Sequence, residues 1–427
     1  TIGGVVSNGG LTKAGSGLLI LTGENTYALG TLISAGVLQV GNNGTAGALP
    51  GNVTNNSALT FYRSDATTFG GVISGTGVLT NRAGTLTLSG TSTYSGNTAV
   101  SAGTLLVSGS IGSSAGVAVS GGATLAGAGT VGAVTMASGA TISPGNTAGV
   151  AGTLTVNGAA TLVGTNVCDI TGTGGTDCDK IAASGAVTAS STLTINLPTS
   201  APAGFDEASA YTWTIMSGSS ANAANMAIGT KWTTSGTLAV SASGNTIVVT
   251  HTPSAPAAPT GLSASDGTST AQVALSWNDV SGETGYVIWR NTVNTFASST
   301  AIYTNAAGAI TYNDSAATAG QLYYYWVTAT NASGSSSASS SDSGYKRLTA
   351  PANVAAADGS STANVTVTWD AATGASTYHV WRDTDSNPAG ATALGAQTSG
   401  FADTPTAGQL YYYWVVASNS TSSSTSD

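Results

Sequence analysis

Residues 3–40 and 70–107 are two copies of one sequence. GGVVSNGGLTKAGSGLLILTGENTYALGTLISAGVLQV, starting at Gly3, recurs as GGVISGTGVLTNRAGTLTLSGTSTYSGNTAVSAGTLLV, starting at Gly70. Gly3 and Gly70, Leu21 and Leu88, Tyr27 and Tyr94, and Ser34 and Ser101 all stand 67 residues apart. Short apolar runs alternate with glycine (Gly17, Gly23, Gly30 and Gly36, then Gly84, Gly90, Gly96 and Gly103), the pattern of strands that end at tight corners. A unit of this kind cannot bury its apolar side alone. Stacked at the strand spacing of about 4.8 Å, successive units enclose a column of Leu, Val and Ile and satisfy one another's backbone groups. The repeat predicts a parallel β-solenoid, continuing through VAVSGGATLAGAGTVGAVTMASGATISPGN and GTLTVNGAATL and ending near Pro253, so that residues 1–253 form the first domain.

Charge narrows the alternatives. The 427 residues carry 9 basic and 18 acidic side chains, or 6% charged, where about 25% is usual. Surface helices need polar, mostly charged faces, so the chain reads as all-β. A net charge of −9 without a Lys/Arg cluster excludes nucleic acid and anionic membrane surfaces as partners, because phosphate binding needs clustered cations. No apolar stretch approaches the roughly 18–20 residues of a spanning helix, so no membrane insertion is expected. Without an initiator Met, Thr1 reads as the start of a processed or trimmed chain.

Cys168 and Cys178 lie in NVCDITGTGGTDCDKI, two strand-like runs around a Gly/Thr turn. A lone close pair predicts a cross-strand disulfide and an oxidising compartment, with two reduced thiols as the alternative. Asp169, Asp177 and Asp179 form an acidic cluster beside this turn. They are candidate Ca²⁺ ligands or ordinary turn acceptors; no other cofactor is expected.

The residues 3–250 closely resemble the autotransporter-associated repeat (PATR-like) passengers of bacterial surface proteins. LTKAGSGLLILTGENTYALG and its second copy carry the likeness, with TISPGN, GTLTVNG and CDKIAASGAVT. The resemblance implies a right-handed β-helical stalk or adhesin, secreted and extracellular or at the cell surface.

After the linker SAPAAP at 254–259 the text changes. Trp277 and Trp369, and Trp289 and Trp381, stand 92 apart, and AGQLYYYWVTATN recurs as AGQLYYYWVVASN 88 residues on. These are two sandwich-sized modules, 259–348 and 351–427, the second expected to lack its last strand. VALSW and VTVTW, YVIWR and YHVWR, and the YYYW strands are similar to fibronectin type III domains. Strand parity places Tyr323, Tyr325, Val327 and Ala329 inside and Tyr324 and Trp326 outside, next to Trp289. An exposed aromatic patch of Trp289, Tyr324 and Trp326 follows, repeated as Trp381, Tyr412 and Trp414. Three occupants suit such a patch: a loop or module of the same chain, another subunit, or a stacked sugar.

Catalytic constellations are absent from the text. His251 and His379 have no neighbouring nucleophile and carboxylate and read as exposed strand residues. The first 160 residues hold only Glu24 and Asp65 as acids and Lys13, Arg63 and Arg82 as bases, too few for a carbohydrate-cleaving cleft. The sequence therefore points to a non-enzymatic extracellular protein. Its leading reading is a homopolymer, a surface filament or sheath joined through open solenoid ends and module contacts; the alternative is an adhesin whose solenoid is a stalk and whose modules bind glycan or matrix.

Overall fold

The computed structural model describes residues 1–425, and the chain is all-β; the only helical turn among the described residues is a 3₁₀ turn at Phe296–Ser298. Among the described residues no helix is long and apolar enough to cross a membrane. Two compact units result, Thr1–Pro253 and the residues from Ser254 onward.

In the first unit almost every strand pairs in parallel with the strand about one coil later, and the pairs fall into three ladders visited in turn. One ladder runs Leu11–Lys13, Thr31–Ile33, Val53–Asn55 and Ile73–Ser74. A second runs Leu18–Leu21, Val37–Gly44, Ala58–Arg63, Val78–Asn81, Thr98–Val100 and Val117–Val119. The third starts at Ala66–Phe69 and continues through Thr85–Leu88, Thr104–Val107, Thr124–Gly127 and Thr141–Pro144.

The coil length explains the repeat. Leu18 pairs with Val37, Val37 with Ala58 and Ala58 with Val78, steps of 19, 21 and 20 residues. A 67-residue period is thus three coils and one further ladder, so Leu18–Leu21 of the second ladder is repeated as Thr85–Leu88 of the third. Local chemistry survives this rotation. Tyr27 shares a 2.6 Å hydrogen bond with Thr31, and Tyr94 a 2.5 Å one with Thr98, both pairs buried. Likewise the Val6 amide donates to Asn25 Oδ1 and the Ile73 amide to Ser92 Oγ.

Alternation does the rest. Along the third ladder Leu86, Leu105, Leu125 and Ile142 stack inward, all essentially inaccessible. The residue before each, together with two later coils, gives an outward column of Thr85, Thr104, Thr124, Thr141, Thr165 and Thr194. Threonine suits a half-buried pleated surface, which is how so many strands are built with so little charge. The coil closes with an antiparallel hairpin, Thr237–Ser243 with Thr246–Thr252, added to Tyr211–Ser217. The hairpin also touches Ala221–Asn222 and Met226–Ile228, so it lies over the last coil. The open C-terminal end expected from the sequence is therefore covered, by Trp213, Trp232, Leu238, Ile247 and Val249, all buried.

The second unit holds two sandwiches. In the first, Ser263–Ala264, Val273–Ser276 and Thr311–Asp314 form one sheet; Thr300–Ala306, Gly285–Asn291, Tyr323–Asn331, Gly334–Ser335 and Asp342–Gly344 form the other. The second repeats this with Ala355–Ala356, Val365–Thr368 and Phe401–Asp403 against Thr392–Gln397, Thr377–Asp383 and Tyr412–Ser418. Ser423–Thr425 pairs with Tyr412–Ser418 where Gly334–Ser335 pairs in the first module. Of the stretch expected to lack a last strand, residues 426 and 427 lie outside the described residues.

Candidate functional site: the aromatic sheet faces

Each sandwich has an inner face fixed by a charged pair. Arg290 Nη1 lies 2.7 Å from Asp314 Oδ2, which also accepts from Tyr325 Oη at 3.0 Å. In the second module Arg382 meets Asp403 at 2.7 Å and Tyr413 donates to the same oxygen at 2.8 Å. Burial, then the neighbouring carboxylate, raises the Tyr325 and Tyr413 hydroxyls above the usual tyrosine range. The parity read from the sequence holds on this side, with Tyr325, Val327 and Ala329 inaccessible. The pairs themselves escaped the sequence reading. The signal was there, since Arg290 and Arg382 recur 92 apart in a chain with nine cations.

The outer face departs from expectation. Trp289 and Trp326 stand directly opposite each other across neighbouring strands, as do Trp381 and Trp414. Yet Trp326 is 5% exposed and Trp414 8%, against the exposed patch expected for both. In the first module a local ring adds cover. Phe296 sets its ring edge against Trp289 (centroids 5.4 Å, 75°) and tilts over Trp326 (5.9 Å). Asn291 Nδ2 holds that turn down by donating to Thr295 O and Ser298 Oγ, and Trp289 Nε1 donates to Thr328 Oγ1. Trp289 and Tyr324 are left half-buried.

The second module differs at each of these positions. Pro388 stands where the repeat places Phe296, Asp383 replaces Asn291, Val416 replaces Thr328 and His379 replaces Val287. An aspartate cannot donate to the loop as Asn291 does; Asp383 keeps only the acceptor role, its Oδ1 accepting from the Thr384 amide at 2.6 Å as Asn291 Oδ1 does from Thr292. Trp381 and Tyr412 stay open at 37% and 39% exposure, and Tyr412 lies nearly parallel to Trp414 at 6.5 Å and 28°. The six aromatic residues thus form one closed face and one open one. Comparing the two copies position by position would have found the difference, because the covering ring lies outside the repeated strands.

The cysteine turn corrects two expectations. Cys168 and Cys178 are free and buried. Ile170 is the residue bridged across from Cys178, so Cys168 is its diagonal neighbour. Diagonal pairs sit about 7–8 Å apart, beyond the roughly 4.4–6.8 Å that a disulfide spans. The sulfurs turn to separate carbonyls, Cys168 Sγ to Asp179 O and Cys178 Sγ to Thr214 O. Burial holds both thiols protonated, Cys178 up to about 11 and Cys168 well above the usual range. The calcium expectation fails because the carboxylates do not converge. Asp169 accepts from the Gly149 amide, Asp177 from Gly174, and Asp179 from Gly152 and Asp169. Among the described residues no three such groups gather in a metal-holding arrangement.

Asp179 is 2% exposed, and burial lifts its carboxyl to about 7 despite those amides. In the unfolded chain an aspartate titrates near about 4, so the folded chain holds the proton more tightly. Its contribution to stability is therefore complete below about pH 4 and is lost as the pH rises to about 7. Thermal melts should show the wild type losing melting temperature relative to Asp179→Asn across that interval; a difference independent of pH would rule the carboxyl out.

The remaining polar groups are structural. His251, expected on the surface, is 1% exposed, with Nδ1 at Ser209 O and Nε2 at Thr234 Oγ1, while His379 is half-buried. Lys13 donates to Gly15 O and Ala35 O, Arg63 pairs with Asp65 and Glu24, and Arg82 lies over the Tyr62 ring.

Residues 11–40 and 83–107 match the model of the passenger-associated-transport-repeat family. These stretches are passenger repeats. Their last residues, 40 and 107, are again 67 apart, so the matches fall on the two copies. A 51-residue stretch, 12% of the chain, is 55% identical to the adhesin BmaC autotransporter of Brucella suis biovar 1 (strain 1330). The chain spans about 2% of that relative's length. A two-domain fibronectin type III segment of chicken tenascin aligns at 16% identity over 39% of the chain and 94% of that structure, TM-score 0.32. A fibronectin type III-like protein of Clostridium thermocellum aligns at 34% identity over 22% of the chain and 99% of that structure, TM-score 0.20.

Proposed function

We propose that this protein is a non-enzymatic adhesin of the bacterial surface, secreted or surface-held, in which the passenger-repeat solenoid is the stalk and the sandwich modules make the contact. The observation that carries this reading is the 55% identity with a stretch of an adhesin autotransporter, together with the passenger repeats themselves. The physics of the solenoid agrees. Its charges are few and its strands are paired coil to coil, which makes a stiff support and leaves recognition to other surfaces.

The adhesin reading is preferred to the filament first suggested by the sequence. Head-to-tail stacking of coils needs an unpaired parallel edge at the joining end, and the hairpin of Thr237–Ser243 and Thr246–Thr252 covers that end. Display of the chain on a non-adherent bacterium tests the proposal. Adhesion to matrix-coated surfaces or host cells should rise well above the empty-display strain. Equal attachment of the two strains would overturn it.

A further inference from the structure

We infer that the outward sheet face of the second sandwich module, centred on Trp381, binds a neutral saccharide, and that the same face of the first module is closed to it. The inference deepens the adhesin reading and rests on it for its setting; the site is argued from the two copies alone.

Phe296 occupies the first module's face, edge-on to Trp289 and tilted over Trp326, so the chain itself shows that this surface accepts an apolar ring. In the second module that ring is absent, and Trp381 and Tyr412 are reachable from solvent. They are 37% and 39% exposed, with the buried Trp414 across the strand from Trp381 and nearly parallel to Tyr412, and aromatic faces attract the C–H groups of a pyranose ring. The replaced residues add polar groups at both ends. His379 and Asp383 flank Trp381 two residues to either side, on its own face of the strand. Asp383 Oδ2 and Trp381 Nε1 have no hydrogen-bond partner among the described residues, whereas Trp289 Nε1 is spent on Thr328. A carboxylate oxygen that accepts and an indole N–H that donates, set around an apolar floor, are the groups that sugar hydroxyls require.

Charge and shape choose among ligands. A carboxylate on the rim and a net charge of −9 oppose acidic sugars and phosphates. The one nearby cation, Arg382, is committed to Asp403 and lies over the Tyr411 ring. Ala393 and Ala396 are the cross-strand partners of Trp381 and His379, so the neighbouring strand raises no wall. A flat, unwalled platform suits a ring stacked on it better than a helix, which needs a groove.

The full chain should bind neutral oligosaccharides ending in glucose, galactose, mannose or N-acetylglucosamine on an array, with sialylated and sulfated chains as comparators. Trp381→Ala should weaken that binding by about tenfold or more, as removal of a central aromatic anchor does. Tyr412→Ala should weaken it as well and serves if Trp381→Ala folds poorly. Pro388→Phe, which restores a covering ring, should also reduce binding, and Tyr303→Ala, an exposed aromatic elsewhere, should leave it unchanged. Failure to bind any neutral glycan, binding confined to the acidic comparators, or binding indifferent to both Trp381→Ala and Tyr412→Ala overturns the inference. Adhesion that persists in displayed Trp381→Ala also counts against the saccharide site while leaving the adhesin reading intact. Glycan binding by a chain that confers no adhesion does the reverse.

Discussion

Asp314→Ala is expected to destabilise the first sandwich module by about 3–5 kcal/mol, the usual cost of removing one partner of a buried ion pair. Asp314 is 1% exposed and serves Arg290, the Tyr325 hydroxyl and the Ala316 amide at once. Truncation removes the shared acceptor from the buried Tyr325 hydroxyl and from the Arg290 guanidinium, which lies over the Tyr323 ring. Denaturant unfolding of the full chain, followed by tryptophan fluorescence, should show the transition of this module moving to lower denaturant while the solenoid's stays in place. Asp403→Ala should do the same to the second module by a smaller margin, because Asp403 is 7% exposed and water screens its pair more. Equal stability of Asp314→Ala and the wild type would show that the pair contributes nothing net.

Gly127→Ala is expected to cost the solenoid about 3 kcal/mol or more, from positive-φ strain together with overpacking. Gly127 has φ +122°, and a Cβ built there would lie 2.1 Å from Val107 O, a backbone atom of the adjacent coil that cannot rotate away. Gly122→Ala separates the two contributions. Its φ of +79° carries the strain, but nothing stands within 4 Å of the added methyl, so about 1 kcal/mol is expected. Comparable losses in the two variants would mean that coil-to-coil approach does not limit side-chain size in the third ladder.

Much of the architecture was legible because it is periodic. A 67-residue identity series, glycine-punctuated apolar runs and two tryptophan pairs 92 residues apart specify stacked coils and tandem sandwiches whatever the details of packing. The inner parity of the YYYW strand was readable for the same reason, since a period of two leaves one choice once the core side is known. What alternation could not reveal was any contact made by a residue outside the alternating strand. Phe296 sits in a 3₁₀ turn that folds back over Trp289 and Trp326, a contact that strand parity does not contain, and Trp414 is buried even without such a ring. His251 was misread for another reason: it shares strand parity with the inward Ile247 and Val249, and Phe205 and Tyr211 pack against its ring.

The cysteine pair shows the limit most sharply. Ten residues around a turn suggested a bridge, yet spacing does not specify register, and the register set Ile170 opposite Cys178. By itself the sequence determined the all-β class, the coil and the tandem modules, because each is a property of repeated short patterns. Only the tertiary structure decided that the period advances the chain by one ladder, that the last coil is capped, that the thiols stay apart and that one of two near-identical aromatic faces is open. Those outcomes depend on which non-repeated residues meet across space, and a linear pattern carries no record of such meetings.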